Sequence, residues 1–356
     1  MSEKKKSREK PHFERRDFLK LGAAATVGFL ARGVVPETAR ALPEGALPAL
    51  PANPATPEAM PIRNLGRTGY RVGIFSLGGQ AAIEQPNNHQ AAVPIVERAL
   101  DLGINYIDTA AWYGGPERWS QRYIGQVMKR RRGETFLATK THDRTRDGSF
   151  RLLEESLRLL QTDHLDLWQI HNLTRTEQVE QIFAPDGAVQ ALIEAREQKI
   201  VRFLGLTGHA DPAVLAEAIR RFPFDTILMA VNAADKHHLS FIDRLLPLAV
   251  EKQMGIIGMK VPARGAILSS WTPPPPAKQR WMRATRPGTL TMREAFDYVL
   301  SLPVSTVIIG CDSIAQLEEN VQLAHRFAPL NDPQMAALVA RTQPIHRQAL
   351  FFRRWT

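Results

Sequence analysis

The sequence contains one cysteine, Cys311, so no intramolecular disulfide and no cysteine-based zinc cage can form, and stability has to come from packing. Glycine-rich nucleotide turns are missing as well. No G-x-G-x-x-G string follows an early strand, which argues against a doubly wound open sheet, and the pairs Gly78-Gly79 and Gly114-Gly115 are too short to replace it. His142, His209, His237 and His238 lack H-x-x-x-H helical spacing, so no metal site is expected. The formal charge is +10, yet no clustered basic stripe interleaved with aromatics is present, and nucleic acid is not an expected partner. Long apolar runs are also scarce. The Gly/Ala-rich run from Leu21 to Ala31 has eleven residues, too few at 1.5 Å each to cross a bilayer core of about 30 Å. No stable membrane span is expected in the mature chain.

What is present is enough apolar residue, 44% of 356, to bury a large core, which excludes general disorder. Half of the charge excess falls in the first 41 residues, where ten Lys/Arg stand against five acids. There "ERRDFLKLGAAATVGFLARG" sets Arg15 and Arg16 before Phe18, Leu19 and Lys20, then a weakly apolar run and a small-residue site, Ala39 to Ala41. Basic, apolar, then small is the order of an export signal. With R-R-x-F-L-K complete, residues 1–41 resemble a twin-arginine signal, which implies export of a folded protein through that machinery to the periplasm or cell envelope. Residues 42–60 are Pro/Ala-rich and read as a stiff linker, so ordered structure is expected from about Pro61.

From residue 62 onward, short β-branched and apolar runs alternate with amphipathic stretches of ten to fifteen residues. "RNLGRTGYRVGIFSLGG" reads as a hairpin leading into a first strand ending at Gly78 and Gly79. Further strands are expected at 105–110, 135–141, 165–171, 201–208, 226–232, 255–261 and 305–311, which makes eight. Crossover helices lie between them, for example 148–162, and 211–222 with Asp211 as cap and Pro212 in the first turn. Strands apolar on both faces and joined by helices form parallel sheets, and eight such units close as a (β/α)8 barrel, placed here at 61–330 with a C-terminal segment at 331–356.

In such a barrel, reactive groups stand where strands finish. Asp108 ends the second strand, Tyr113 follows in the loop, Lys140 ends the third and His171 the fourth. As a set they are mutually dependent. A phenol with pKa about 10 delivers protons near neutrality only if its anion is stabilised. A neighbouring ammonium can do so, and a carboxylate keeps that ammonium charged in a dry pocket. A histidine one strand over can orient a substrate oxygen.

These residues, with "RNLGRTGYRV", "ALDLGINYIDTAAWYG", "LATKT", "LDLWQIHN", "VRFLGLTG" and "LEENVQLA", resemble the aldo-keto reductases over about Arg63 to Ala328. The resemblance implies NADP(H)- or NAD(H)-dependent reduction of an aldehyde or ketone, or the reverse alcohol oxidation. It assigns Tyr113 as general acid, Lys140 as the group that lowers its pKa, Asp108 as the anchor of Lys140, and His171 as the positioner of the carbonyl. Its alternative is a nicotinamide-binding barrel that senses redox state or binds a partner with little turnover. Where family members bind the carboxamide with Ser-Asn and Gln, this chain has Thr207, Gly208 and Met229. Met259 stands where an aromatic often stacks on the nicotinamide, followed by Lys260. "IIGCDSIAQLEEN" corresponds to the adenosine end, with a helix start at Ser313 suited to an anion. Gly310 and Gln316 replace the Lys and Arg of NADPH-selective members, while Glu319 and Asn320 match. Arg264, Lys278, Arg280, Arg283 or Arg286 are candidate replacements for that charge. The last four lie in a long insert after strand seven, expected to fold over the pyrophosphate. Cys311 reads as a small core residue, and the tail "FFRRWT" as a lid, a plug or an interaction stub.

Overall fold

The computed structural model describes residues 47–279 and 283–355; the expected export signal at 1–41, the first residues of the expected linker and Arg280 lie outside them. Eight parallel strands close into a barrel: β3 (Phe75–Gly78), β4 (Tyr106–Asp108), β5 (Phe136–Thr141), β6 (Leu165–Ile170), β7 (Val201–Gly208), β8 (Thr226–Ala230), β9 (Gly255–Met259) and β10 (Thr306–Ile309), the last pairing back onto β3. All eight overlap the expected strands. A hairpin of β1 (Ile62–Asn64) and β2 (Arg71–Gly73) precedes them.

Side-chain parity divides the core in two. Outward residues such as Ile107, Trp168, Leu206 and Met229 join the layer between strands and helices. Inward residues form a separate cluster with Tyr70, Tyr106, Phe136, Ala138, Leu167, Leu228, Ile257 and Ile308, against which Phe203 packs. Three of these rings stack: Phe136 lies 5.4 Å from Tyr106 and 5.9 Å from Phe203 between centroids. The result is an aromatic floor inside the barrel.

The expected crossover helices form, the second with the expected cap. Residues 146–160 make one whose N-cap Thr145 accepts from the Gly148 amide. Asp211 caps residues 212–221 by accepting from the Ala213 amide at 2.9 Å, with Pro212 at the first turn.

The boundary expected at Pro61 is corrected. Residues from 47 onward are packed on the barrel: Pro51, Asn53 and Thr56 are buried, and residues 56–59 form a helical turn. The reason is hydrogen bonding that composition does not reveal. Asn53 donates to the carbonyl of Leu100 at 2.7 Å, Ala52 to that of Gly133 at 2.9 Å, and Arg202 reaches the carbonyl of Pro48 at 2.6 Å.

Candidate active site

Above the aromatic floor sits one polar layer. Parity turns Asp108, Lys140 and Gln169 inward, two residues beyond Tyr106, Ala138 and Leu167 on the same strands. Lys140 and Asp108 are both shut off from solvent and form an ion pair. The ammonium also donates to the carbonyl of Thr109 at 2.7 Å, and Gln169 Nε2 donates to Asp108 Oδ1 at 3.1 Å. Burial pushes the Asp108 carboxyl up and the Lys140 ammonium down, and each is the main counterweight to the other. A pair of this kind is held by mutual charge and loses heavily if one member is removed.

Tyr113 and His171 lie over this layer. Their rings meet edge to face with centroids 5.8 Å apart, and Lys140 Nζ is 4.9 Å from the Tyr113 ring centroid. The four residues expected at the strand ends are therefore gathered at one point. Their electrostatics differ from expectation in one respect. The Tyr113 phenol is pushed well above its ordinary value, first by burial, then by Asp108 and Glu84, while Arg264 pulls it down. Lys140 does not make it acidic at rest, because that ammonium is directed to Asp108 and Thr109 and lies over the ring face. Tyr113 thus holds its proton firmly. His171 is driven well below the usual imidazole range by burial and then by Lys140, His209 and Arg144, so its ring is neutral.

The expected cofactor residues divide into three groups. Thr207 faces the mouth and accepts from the Asn172 amide at 2.8 Å. Met259 packs on the inward cluster, and Lys260 follows it in a left-handed conformation, φ 64°. Lys260 is pulled down to about 8 by burial and by Arg264, with Glu84 opposing. Arg264 is half exposed, 4.0 Å from Glu84. Met229 is a correction: strand alternation points it outward into the strand–helix layer, fully buried, while Leu228 takes the inward position. Gly208 has the same parity, and a Cβ there would lie 2.8 Å from the Leu173 carbonyl, so no amide side chain can stand at that position. At the adenosine end, Ser313 caps residues 314–325 by accepting from the Gln316 amide at 3.2 Å, and Gln316 Oε1 accepts from Asp312 at 2.8 Å. Gly310 allows close approach to Gln80, whose carbonyl would be 3.0 Å from an added Cβ. Glu319 is exposed, whereas buried Asn320 donates to Cys311 Sγ at 3.5 Å. Cys311 is fully buried and its thiol is pushed up to about 12 by burial, which fits a core residue.

Several site residues were not read from sequence. Asn172, next to His171, has φ 52° and a buried Oδ1 without a partner; His209 has a buried Nδ1 without one. Both stand beside Thr207. Arg144 donates to the carbonyls of His171 and Asn172 at 2.7 and 3.0 Å. Each lies one to three residues past a strand end, which is the signal that could have found them.

The tail is a plug. Arg353 is buried, donating to the carbonyl of His209 at 2.7 Å and that of Ala230 at 3.0 Å, ion-paired with Asp235, and lying 3.9 Å from the Phe241 ring centroid. It clamps the ends of β7 and β8. The described parts of the insert are tied to this C-terminal segment: Gln348 donates to the carbonyls of Ala266 and Arg286 at 2.9 Å, and Arg286 donates to that of Pro344. Among the described residues no group of three or more His, Cys, Asp or Glu is placed to hold a metal ion, and no helix is long and apolar enough to cross a membrane.

A family model, Aldo/keto reductase family, matches residues 71–341. The chain belongs to that family. It is 25% identical over 316 residues to Uncharacterized oxidoreductase YqkF of Bacillus subtilis, covering 79% of this chain and 96% of the relative. It is 26% identical over 283 residues to L-galactose dehydrogenase of Arabidopsis thaliana, covering 73% and 86%. The solved holo form of aldo-keto reductase AKR11C1 from Bacillus halodurans superposes with TM-score 0.65 at 24% identity, covering 80% of this chain and 97% of the other, a likeness of fold. As a member of this family the chain is an NAD(P)-dependent oxidoreductase, and the family's general activity is NAD(P)H-dependent carbonyl reduction.

Proposed function

We propose that this aldo-keto reductase reduces an aldehyde or ketone, and runs the reverse oxidation, with Tyr113 as general acid and base. The observation that carries the proposal is the convergence of Tyr113, His171 and the buried Asp108–Lys140 pair at one point of the mouth.

The residues fit a nicotinamide cofactor. Two buried orphaned atoms, Asn172 Oδ1 and His209 Nδ1, flank Thr207, where a carboxamide could meet them, and Lys260 and Arg264 supply positive charge for phosphate. A bound nicotinamide supplies the hydride to the carbonyl carbon. Tyr113 gives its proton to the carbonyl oxygen, so a hydride on carbon and a proton on oxygen together make an alcohol. Neutral His171 donates to the same oxygen and fixes its direction. Lys140 sets a positive charge at the phenolate as it forms, and Asp108 keeps that ammonium protonated in a dry site. The basic insert rests beside Arg264 through Trp271, which packs against Gly265, and is proposed to cover the pyrophosphate.

The test is turnover of an aldehyde panel, followed as oxidation of NADH and of NADPH. Firm nicotinamide binding with no turnover of any member would favour the sensing barrel instead. Export by the twin-arginine route is part of the same proposal, supported by the arginine pair and Phe18-Leu19-Lys20. A folded passenger can carry its cofactor, so protein recovered from the cell envelope should hold nicotinamide; an empty envelope enzyme active only on added cofactor would contradict that.

A further inference from the structure

The barrel order sets the loop after β5 across the mouth from the loop after β9, with three strands between them in either direction. Lys260 and Arg264, assigned above to the cofactor, follow β9. On the other side the loops after β4 and β5 carry a second cationic group: Arg118, in a left-handed conformation with φ 52°, and Arg144. Both are partly buried, and burial holds both guanidinium groups below their ordinary value, Arg144 down to about 10. Neither has a carboxylate within ion-pair distance among the described residues. Arg118 Nη1 reaches only the carbonyl of Leu152, at 3.3 Å. Arg144 uses Nη2 on two carbonyls and leaves Nη1 buried without a partner.

The nearby acids are engaged elsewhere. Asp143 Oδ1 accepts from the Thr145 amide at 2.8 Å and hydroxyl at 2.7 Å. Glu155 takes Arg158 through both oxygens, at 2.5 and 3.1 Å. His142, exposed at the surface, feels both guanidinium charges, and partial desolvation together with those charges holds its imidazole below the ordinary value; its ring lies 5.3 Å from that of Trp112. Trp112 is 56% exposed and precedes Tyr113 in the chain. Glu155 acts on Arg118 and Asp143 on Arg144 only from beyond ion-pair distance, and a guanidinium partly buried without a paired anion is costly.

We infer that the substrate supplies the missing charge: the carbonyl compound carries a carboxylate or phosphate, which Arg118 and Arg144 hold beside His142 and Trp112 while its carbonyl meets Tyr113 and His171. This rests on the reductase reading and adds the substrate class to it. The two cation groups across the mouth then serve two different anions, one on the cofactor and one on the substrate.

The experiment compares matched pairs on the whole enzyme with nicotinamide: succinic semialdehyde against butanal, and glyceraldehyde 3-phosphate against glyceraldehyde. In at least one pair the anionic member should have kcat/KM higher by roughly tenfold or more, the size expected of a charge-assisted hydrogen bond, with the advantage residing in KM and shrinking as salt is raised. The pair that shows it tells carboxylate from phosphate. Arg118→Gln should cut the charged-to-neutral ratio by about the same factor, and Arg118→Lys should restore part of it. Equal or better turnover of the neutral members in both pairs would overturn the inference while leaving the reductase reading intact, as would a variant that lowers both members of a pair in proportion. No turnover of any of the four would count against the reductase reading itself.

Discussion

The two ends of the barrel are built from the same residue types and treat them differently. At the amino end the hairpin closes the floor, and its cations are saturated: Arg63 donates to the carbonyls of Leu300 and Val304 at 2.8 and 2.7 Å, and Arg67 to those of Lys252, Pro223 and Phe224 at 2.7 to 2.8 Å. Tyr70 is stacked on Phe136 and gives its hydroxyl to the Asn105 carbonyl at 2.6 Å. At the carboxyl end Arg144 is half satisfied, Asn172 and His209 hold orphaned atoms, the Lys260 ammonium has no ion pair among the described residues, and three histidines are pushed below the ordinary imidazole value. Backbone strain follows the same division. Among the described residues, left-handed non-glycines at the floor are helix-to-strand turn positions such as Gln161 and Lys199, whereas Arg118, Asn172, Lys260 and Arg264 all stand in loops above the strands. One end is finished for stability; the other is left incomplete for ligands.

The comparison breaks first at the buried pairs. Lys140→Met leaves the Asp108 carboxylate alone in the dry layer, so stability should fall by about 3–5 kcal/mol and reduction should be nearly abolished, measured by denaturant unfolding and by turnover. A stable variant that retains activity would show that the pair does neither task. Arg353→Met removes the clamp on His209 and Ala230 and takes its cation from buried Asp235, which keeps the Ser240 hydroxyl and the Phe241 and Ile242 amides; a similar loss in stability is expected, together with a raised KM for nicotinamide because the backbone beside Thr207 loosens. Arg63→Met sharpens the contrast: it should cost about 1–3 kcal/mol through two orphaned carbonyls yet leave kcat at the wild-type value, since that residue is at the other end of the barrel.

The effect of acid is spread over several pH units. His209 is depressed from 6.5 to about 3 in the folded chain, chiefly by burial. A depressed group adds stability that is complete above its unfolded value and is lost as pH falls, because the unfolded chain binds the proton first. The melting temperature should therefore decline between about pH 6.5 and 3, and His209→Asn should flatten that decline. An unchanged slope would place the acid sensitivity in other groups.

Much of this was legible in the sequence. The eight strands could be read because each is apolar on both faces and bounded by turn residues, and Asp108, Lys140 and His171 stood out because each ends such a run. What escaped depended on direction and not on position. Met229 stands at a family site by resemblance, but strand parity turns it away from the mouth. The proton affinity of Tyr113 could not be read either, since it is set first by burial and then by Asp108 and Glu84, while the Lys140 ammonium is directed to Asp108 and the Thr109 carbonyl. Arg353 lies over a hundred residues from Asp235, and nothing local marks it as the plug.

The central claim is that the Tyr113 proton, held over a braced ammonium, completes the reduction of a carbonyl. Replacing Tyr113 with Phe tests it most directly, with turnover and nicotinamide affinity measured on the same preparation. The account predicts a loss of kcat of roughly a hundredfold or more with affinity for nicotinamide retained; a phenylalanine variant that reduces its substrate at the wild-type rate would contradict it.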